Sequence, residues 1–233
     1  MNIGAFVLHW EDGDGEGIRK TRDCLASLQA DVWNVDHVAI TVIDNGSVKP
    51  WPKGFDSNVR VKRHEQNLHL IPAFNLAMQE REYDVYVCIT NDTRAASGMI
   101  RNLVYWLQRP RIGVVAPGTN DKGAGALFTG EGPDFDKPFV YLPHVDNTVW
   151  AWTDEVVRKV GWPDATGHTH RANWACNRDF CYRARMSGFV VGAARNAYVW
   201  HAHMGGEDAV ADAAGREWLL QRWGEELFPE VWS

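Results

Sequence analysis

Short apolar runs alternate with amphipathic segments along the first half of the chain, and this alternation constrains the fold more than any other feature. Residues 3–9 (IGAFVLH), 37–43 (HVAITVI), 84–90 (DVYVCIT) and 111–116 (RIGVVA) are strand-length, apolar and rich in β-branched residues. That is the pattern of strands covered on both faces. Between them, residues 17–30, 72–82 and 98–108 carry apolar side chains at helical spacing, as at Ile18, Cys24, Leu25 and Leu28. Pro72 suits a first helical turn, and Val59–Lys62 reads as a weaker strand. Strand, helix and strand at this interval require crossover connections and a parallel sheet. Such sheets bind ligands beyond the carboxyl ends of their strands. Function is therefore expected in the loops after His9, Ile43 and Ile89.

The second half is less regular. Residues 118–148 are rich in Gly, Pro and Asp and read as a long irregular connection, a possible lid. Helices are expected over 153–160, 176–187 and 207–227, with strand over Val190–Val199. At 233 residues the chain fits one large domain or two small ones. It has no apolar run of the ~18 residues a membrane span needs, and its N-terminus lacks the pattern of a signal peptide. Cys24, Cys88, Cys176 and Cys181 are too few and scattered for a disulfide scaffold and read as reduced thiols of a cytoplasmic protein. The net charge of −6 is concentrated after Gly205, where seven acidic residues face two basic ones. The near-neutral remainder argues against a strongly basic nucleic-acid binder.

Several clusters could carry chemistry. In VCITNDTRA (87–95) a buried strand delivers Asn91 and Asp92 to the ligand edge. A carboxylate there suits Mg²⁺ or Mn²⁺ shared with phosphates, and it equally suits a helix cap. Asp44-Asn45-Gly46-Ser47 fits either a ligand-facing edge or an ordinary turn. Asp12, Asp14, Glu16 and Asp23 only loosely imitate a calcium loop, with Arg19, Lys20 and Arg22 among them. His168, His170, His201 and His203 flank Cys176 and Cys181, which allows a zinc-dependent enzyme as an alternative, although no standard zinc spacing is present. Asp179 and Arg183 form an i,i+4 ion pair or, alternatively, a general base with a phosphate-binding arginine.

Taken in order, these pieces resemble family 2 glycosyltransferases of the GT-A fold, in the rhamnosyltransferase-like branch. The resemblance rests on VIDNGS (42–47), NLHLIPAFNLAM (67–78), TNDT (90–93), GVVAP (113–117), EVVRKVGWPD (155–164), CNRDFCYRARMSG (176–188) and HAHMGG (201–206). It implies a single α/β GT-A-like domain with a mostly parallel central sheet flanked by helices. Residues 1–117 would form the nucleotide-sugar half, and 149–233 the acceptor half and C-terminal helix. It implies transfer, usually inverting, from a UDP-, dTDP- or GDP-linked sugar. The acceptor would be a glycan or lipid-linked sugar, with a modified nucleic-acid base as a further option. Asp44 would contact the nucleoside, with Asn67, Asn75 and Arg183 also on the donor. Asp92, His201 and His203 would serve Mn²⁺ or Mg²⁺.

Two departures stand out. The glycine of the family's N-x-G motif is missing after Asn67. The family's acidic pair, which holds its usual base, falls on Cys176 and Asn177. Asp179 is then the expected base, with His168 or His170 as substitutes. A non-catalytic nucleotide- or sugar-binding protein is the remaining alternative.

Twelve tryptophans complete the pattern, eight of them from Trp150 onward. Trp10 and Trp106 are expected in the core. Trp150, Trp152, Trp162, Trp174 and Trp200 fall in the acceptor half. Trp162 and Trp174 are read as a stacking platform beside His168 and His170, while Trp218 and Trp223 fasten the last helix.

Overall fold

The apolar runs form strands at the expected places. The computed structural model describes residues 1–32, 37–52, 54, 56–80, 82–120, 130–164, 173–202 and 209–232, with side chains left out at 173–174, 209–212, 230 and 232. In chain order the elements are β1 (Ile3–His9), α1 (Glu16–Val32), β2 (Val38–Asn45), β3 (Val59–His64), α2 (Leu70–Met78), β4 (Val85–Thr90), β5 (Thr93–Ala95), α3 (Met99–Leu107), β6 (Ile112–Thr119), β7 (Phe139–Tyr141), β8 (Val149–Thr153), α4 (Asp154–Val160), α5 (Asn173–Met186), β9 (Val190–His201) and α6 (Ala209–Trp232). The strands form one sheet in the order β3-β2-β1-β4-β8-β6-β9-β5, with β7 added on β9. Strands β3, β2, β1 and β4 are parallel, as are β6 and β9. The register aligns the carboxyl ends of β1 and β2, so that His9 lies beside Asp44.

Helices cover both faces of this mostly parallel sheet. On one face α2, α4 and α5 bury Phe6, Tyr86, Trp150, Trp152 and Phe180. On the other, α1 and α3 bury Val7, Leu25, Leu28, Ile100 and Leu103. The C-terminal α6, kinked at Gly224 (φ +74), lies on α5 over a small cluster of Tyr182, Leu219 and Val231. No helix among the described residues is long and apolar enough to cross a membrane.

Three strands are absent from the sequence reading: β5, β7 and β8. The last is decisive, because VWAWT inserts antiparallel between β4 and β6. Trp150 and Trp152, two residues apart, point to the same face and are fully buried against each other and Phe180. They are core residues and not part of an acceptor surface. Of the irregular connection expected over 118–148, residues 118–119 belong to β6, residues 121–129 lie outside the described residues, and the rest is tied to β9. Tyr198 donates to the Gly130 carbonyl at 2.6 Å, and Arg195 pairs with Asp134 at 2.7 Å, so the segment is stitched to β9.

The turn after β2 admits only glycine at position 46. Gly46 has φ +70, and a Cβ there would lie 2.2 Å from the backbone carbon of Gln66. Gly46→Ala is expected to lose more than ~2 kcal/mol in urea unfolding, from the combined backbone strain and overlap.

Candidate active site

The loop between β1 and α1 is organised by one buried carboxylate. Glu11 accepts the backbone N–H groups of Gly13 and Gly15 at 2.7 Å and of Ile18 at 3.0 Å. These bonds, that from Gly15 first, pull its carboxyl down to about 2. Glu11 also lies with Asp12 and Asp14 in the only group of three or more close potential metal ligands among the described residues. Its oxygens, however, are spent on the loop's own backbone, so the arrangement is an anion knot. Gly17 lets the first turn of α1 press against this loop, since a Cβ there would sit 2.1 Å from the Trp10 carbonyl oxygen. Trp10 is thereby held at the strand edge with its indole 46% exposed, not in the core as expected.

A second knot closes the β2 edge. Asp44 is 1% exposed, and it accepts from the backbone of Ser47 (3.1 Å) and Trp51 (3.0 Å) and from Arg63. Burial opposes ionisation there, but these partners hold its carboxyl below the ordinary range. Asn67 is likewise occupied, accepting from the Asn45 amide (2.9 Å) and the His69 N–H (2.8 Å). Asp44 and Asn67, expected on the donor, thus hold the edge together. His69, at the family's glycine position, adopts φ +63 and ψ −179, a conformation otherwise almost restricted to glycine. Asn75 donates to the Pro163 carbonyl at 2.7 Å, and its Oδ1 is buried with no partner among the described residues.

The third strand edge carries the centre. Asn91 turns inward, donating to Thr21 Oγ1 at 2.9 Å, and Thr21 in turn meets the buried ring of His9 at 2.8 Å. Asp92 faces His201, with Nε2 3.3 Å from Oδ2. Burial disfavours the Asp92 carboxylate most strongly, yet His201, Thr90 and the local backbone together lower the carboxyl's pKa. The other oxygen, Oδ1, is buried with no hydrogen-bond partner among the described residues. His201 is fixed by its backbone: it pairs with Thr93 across β5, and the Asn120 side chain bonds its N–H (2.7 Å) and carbonyl (3.2 Å). The neighbouring Ala202 N–H donates to the Asp92 carbonyl at 2.8 Å.

Two clefts meet at this pair, and both touch Asn91, Asp92 and His201. One, of about 330 Å³, runs past Leu8, Trp10, Leu70, Asn147 and Thr148. The other, of about 670 Å³, lies between α1 and the β5–β9 ribbon and contains Trp200. The Asn147 amide nitrogen is also buried without a partner among the described residues. A further concavity of about 480 Å³ lies at the opposite edge of the sheet, around His37 and Tyr83, away from these loops. Trp10 and Asn147 were missed from the sequence. Trp10 follows directly on a strand's carboxyl end, a usable signal, whereas Asn147 precedes a strand that went unrecognised.

The α5 residues stand apart. Asp179 is fully buried and accepts from Arg183 (2.9 Å), Arg222 (2.7 Å) and the Trp223 indole (3.0 Å). Arg183 also holds the carbonyls of Val160 and Trp162. In this arrangement the first is held as a buried anion and the second as a clamp. Asn177, at the position of the family's base, donates to the Val145 carbonyl, which a carboxylate cannot do. Trp162 packs edge-on to Tyr86 against the core. Cys176 and Cys181 are buried, and burial pushes both thiols up, which opposes a thiolate zinc ligand. His168, His170, His203 and the side chain of Trp174 lie outside the described residues.

The model of the family described as glycosyl transferase family 2 matches residues 18–183. The chain belongs to that family. Among solved structures, this family 2 chain resembles that of GalNAc-T7 with UDP, GalNAc and Mn²⁺, at TM-score 0.72 and 14% identity, over 97% of this chain and 49% of that one. It also resembles the mannosyltransferase PcManGT from Pyrobaculum calidifontis in complex with GDP-Man and Mn²⁺, at TM-score 0.66 and 13% identity, over 95% and 60%. At such identities these two show the fold, and the chain spans about half and three fifths of their lengths. No curated protein sequence matches.

Two outcomes are expected. Because the Glu11 carboxyl is depressed in the folded state, its contribution is complete above its unfolded value near 4.5 and is lost as pH falls toward about 2. Thermal melts should show the wild type losing stability over that window and Glu11→Gln, weaker throughout, changing less. Asp179→Asn removes the buried anion that Arg183 and Arg222 share, leaving Arg222 its Asp164 pair and Arg183 its carbonyls, and should cost about 3 kcal/mol in chemical unfolding.

Proposed function

We propose that the protein transfers a sugar from a nucleoside diphosphate sugar to an acceptor hydroxyl, with inversion and with a divalent ion held at Asp92. The observation that carries this is the Asp92–His201 pair at the carboxyl edge of the sheet, with Asp92 Oδ1 buried, partnerless among the described residues and shared by two clefts. A carboxylate and an imidazole fit Mn²⁺ or Mg²⁺, which complete their shells with substrate oxygens. When bound, the ion supplies positive charge against the departing diphosphate. Trp10 offers an exposed face on which a nucleobase stacks. The Asn147 amide offers a donor to a sugar or phosphate oxygen in the same cleft. Membership of family 2 and the two structural neighbours, solved with UDP and with GDP-Man, support a nucleoside diphosphate sugar as donor.

The acceptor, in this proposal a glycan or a lipid-linked sugar, loses its proton as its oxygen attacks the anomeric carbon. For Asp179 to take that proton, Arg222 and Trp223 would first have to leave it.

The test is a thermal-shift screen of UDP, dTDP and GDP, with their sugars, in Mn²⁺. A true donor at a hundredfold excess over its Kd should stabilise the wild type by about 2.7 kcal/mol. Asp92→Ala should lose the Mn²⁺-dependent part of that shift. A nucleotide that binds but is never released from any nucleotide sugar would favour a non-catalytic binding protein.

A further inference from the structure

We propose that the cleft between α1 and the β5–β9 ribbon is the acceptor subsite and that it takes an uncharged saccharide. This rests on the glycosyl-transfer reading above. Among the tryptophans whose side chains are described, only Trp10 and Trp200 are strongly exposed, at 46% and 45%. They line different clefts, and both clefts reach the Asp92–His201 pair. The Trp200 ring is set edge-on against buried Tyr198 at 5.2 Å, which holds its orientation while leaving it open. An indole kept in water beside a polar cleft offers a flat apolar surface to the C–H face of a pyranose.

The rim decides the charge of the occupant. Residues Arg19, Lys20 and Asp23 of α1 share the cleft with Arg94, which lies across the ribbon from Trp200. Both arginines are paired in place, and of these rim charges Lys20 alone carries no ion pair among the described residues. Arg94 pairs with Asp23 at 2.6 Å, and Arg19 pairs with Glu16 at 2.7 Å and Asp23 at 3.5 Å. A polyanion needs cations that are free to replace its counterions. Paired ions instead present donors and acceptors with little net field, which suits the hydroxyl groups of a neutral sugar. A cavity of about 670 Å³ is within the range of small-molecule sites. Because both clefts touch Asp92 and His201, a ring on Trp200 lies next to the proposed diphosphate site, as a transferase requires of its two substrates.

The experiment is saturation-transfer NMR on the full chain with Mg²⁺ and UDP, using free hexoses, N-acetylhexosamines, maltotriose, cellotriose and chitotriose, with oligo(dT) as a separate probe. At least one sugar should bind the wild type, at least tenfold more weakly to Trp200→Ala, and with intermediate affinity to Trp200→Phe, which keeps a flat ring. Nucleotide affinity, measured in the same samples, should fall in Trp10→Ala and not in Trp200→Ala. Sugar binding that is indifferent to Trp200, absence of binding by every sugar, or Trp200-dependent binding of oligo(dT) would each overturn the proposal. Trp200-dependent sugar binding without nucleotide binding in the wild type would sink the donor reading and leave the saccharide cleft standing.

Discussion

Buried carboxylates that accept backbone N–H groups hold the working edge of this sheet. Parallel strands bring their carboxyl ends to one side, so several loops must end there with their peptide groups partly removed from water. Glu11 satisfies three N–H groups of the first loop, and Asp44 satisfies two of the second together with Arg63. The Ser47 hydroxyl then bonds the Glu11 N–H, and the Val48 N–H donates to the Glu11 carbonyl, which joins the two knots. Each carboxylate is a rigid multiple acceptor, worth more where water is scarce. Trp10 and Gly46 owe their positions to this framework.

Against that background Asp92 is the exception. It is a half-buried carboxylate at the same edge, with one oxygen 3.3 Å from an imidazole and the other buried without a hydrogen-bond partner among the described residues. Native structures rarely leave such atoms unpaired. Local rules tend to fail where function is placed. The contrast between Asp44, fully satisfied, and Asp92, not, separates a structural anion from a candidate ligand more sharply than either residue's motif.

The legible part of the molecule was the part written in periodicity. Strands β1, β2, β4 and β6 and helices α1 and α3 come directly from apolar spacing, and so does the edge at which Asp92 would stand. Strand β8 escaped because five residues rich in tryptophan, running straight into a helix, show little alternation. That omission carried over into the tryptophans. Trp150 and Trp152 looked like an acceptor surface only while no strand was assigned to bury them. The partners of Asp179 were only partly legible for a similar reason. Its i,i+4 partner Arg183 was visible, but Arg222 and Trp223 arrive from a helix more than forty residues away.

The sequence by itself therefore determined the layered α/β architecture and the ligand edge. Those depend on local pattern and on the handedness of crossovers, both written into short stretches of chain. Only the tertiary structure decided which acidic and aromatic residues are free to act. Whether a carboxylate is saturated or a tryptophan is exposed depends on what distant segments bring against it, and no local spacing encodes that. Packing ties Asp44, Asn67, Arg183 and Asp179 into the framework and leaves Trp10 and Trp200 exposed in the clefts that reach Asp92.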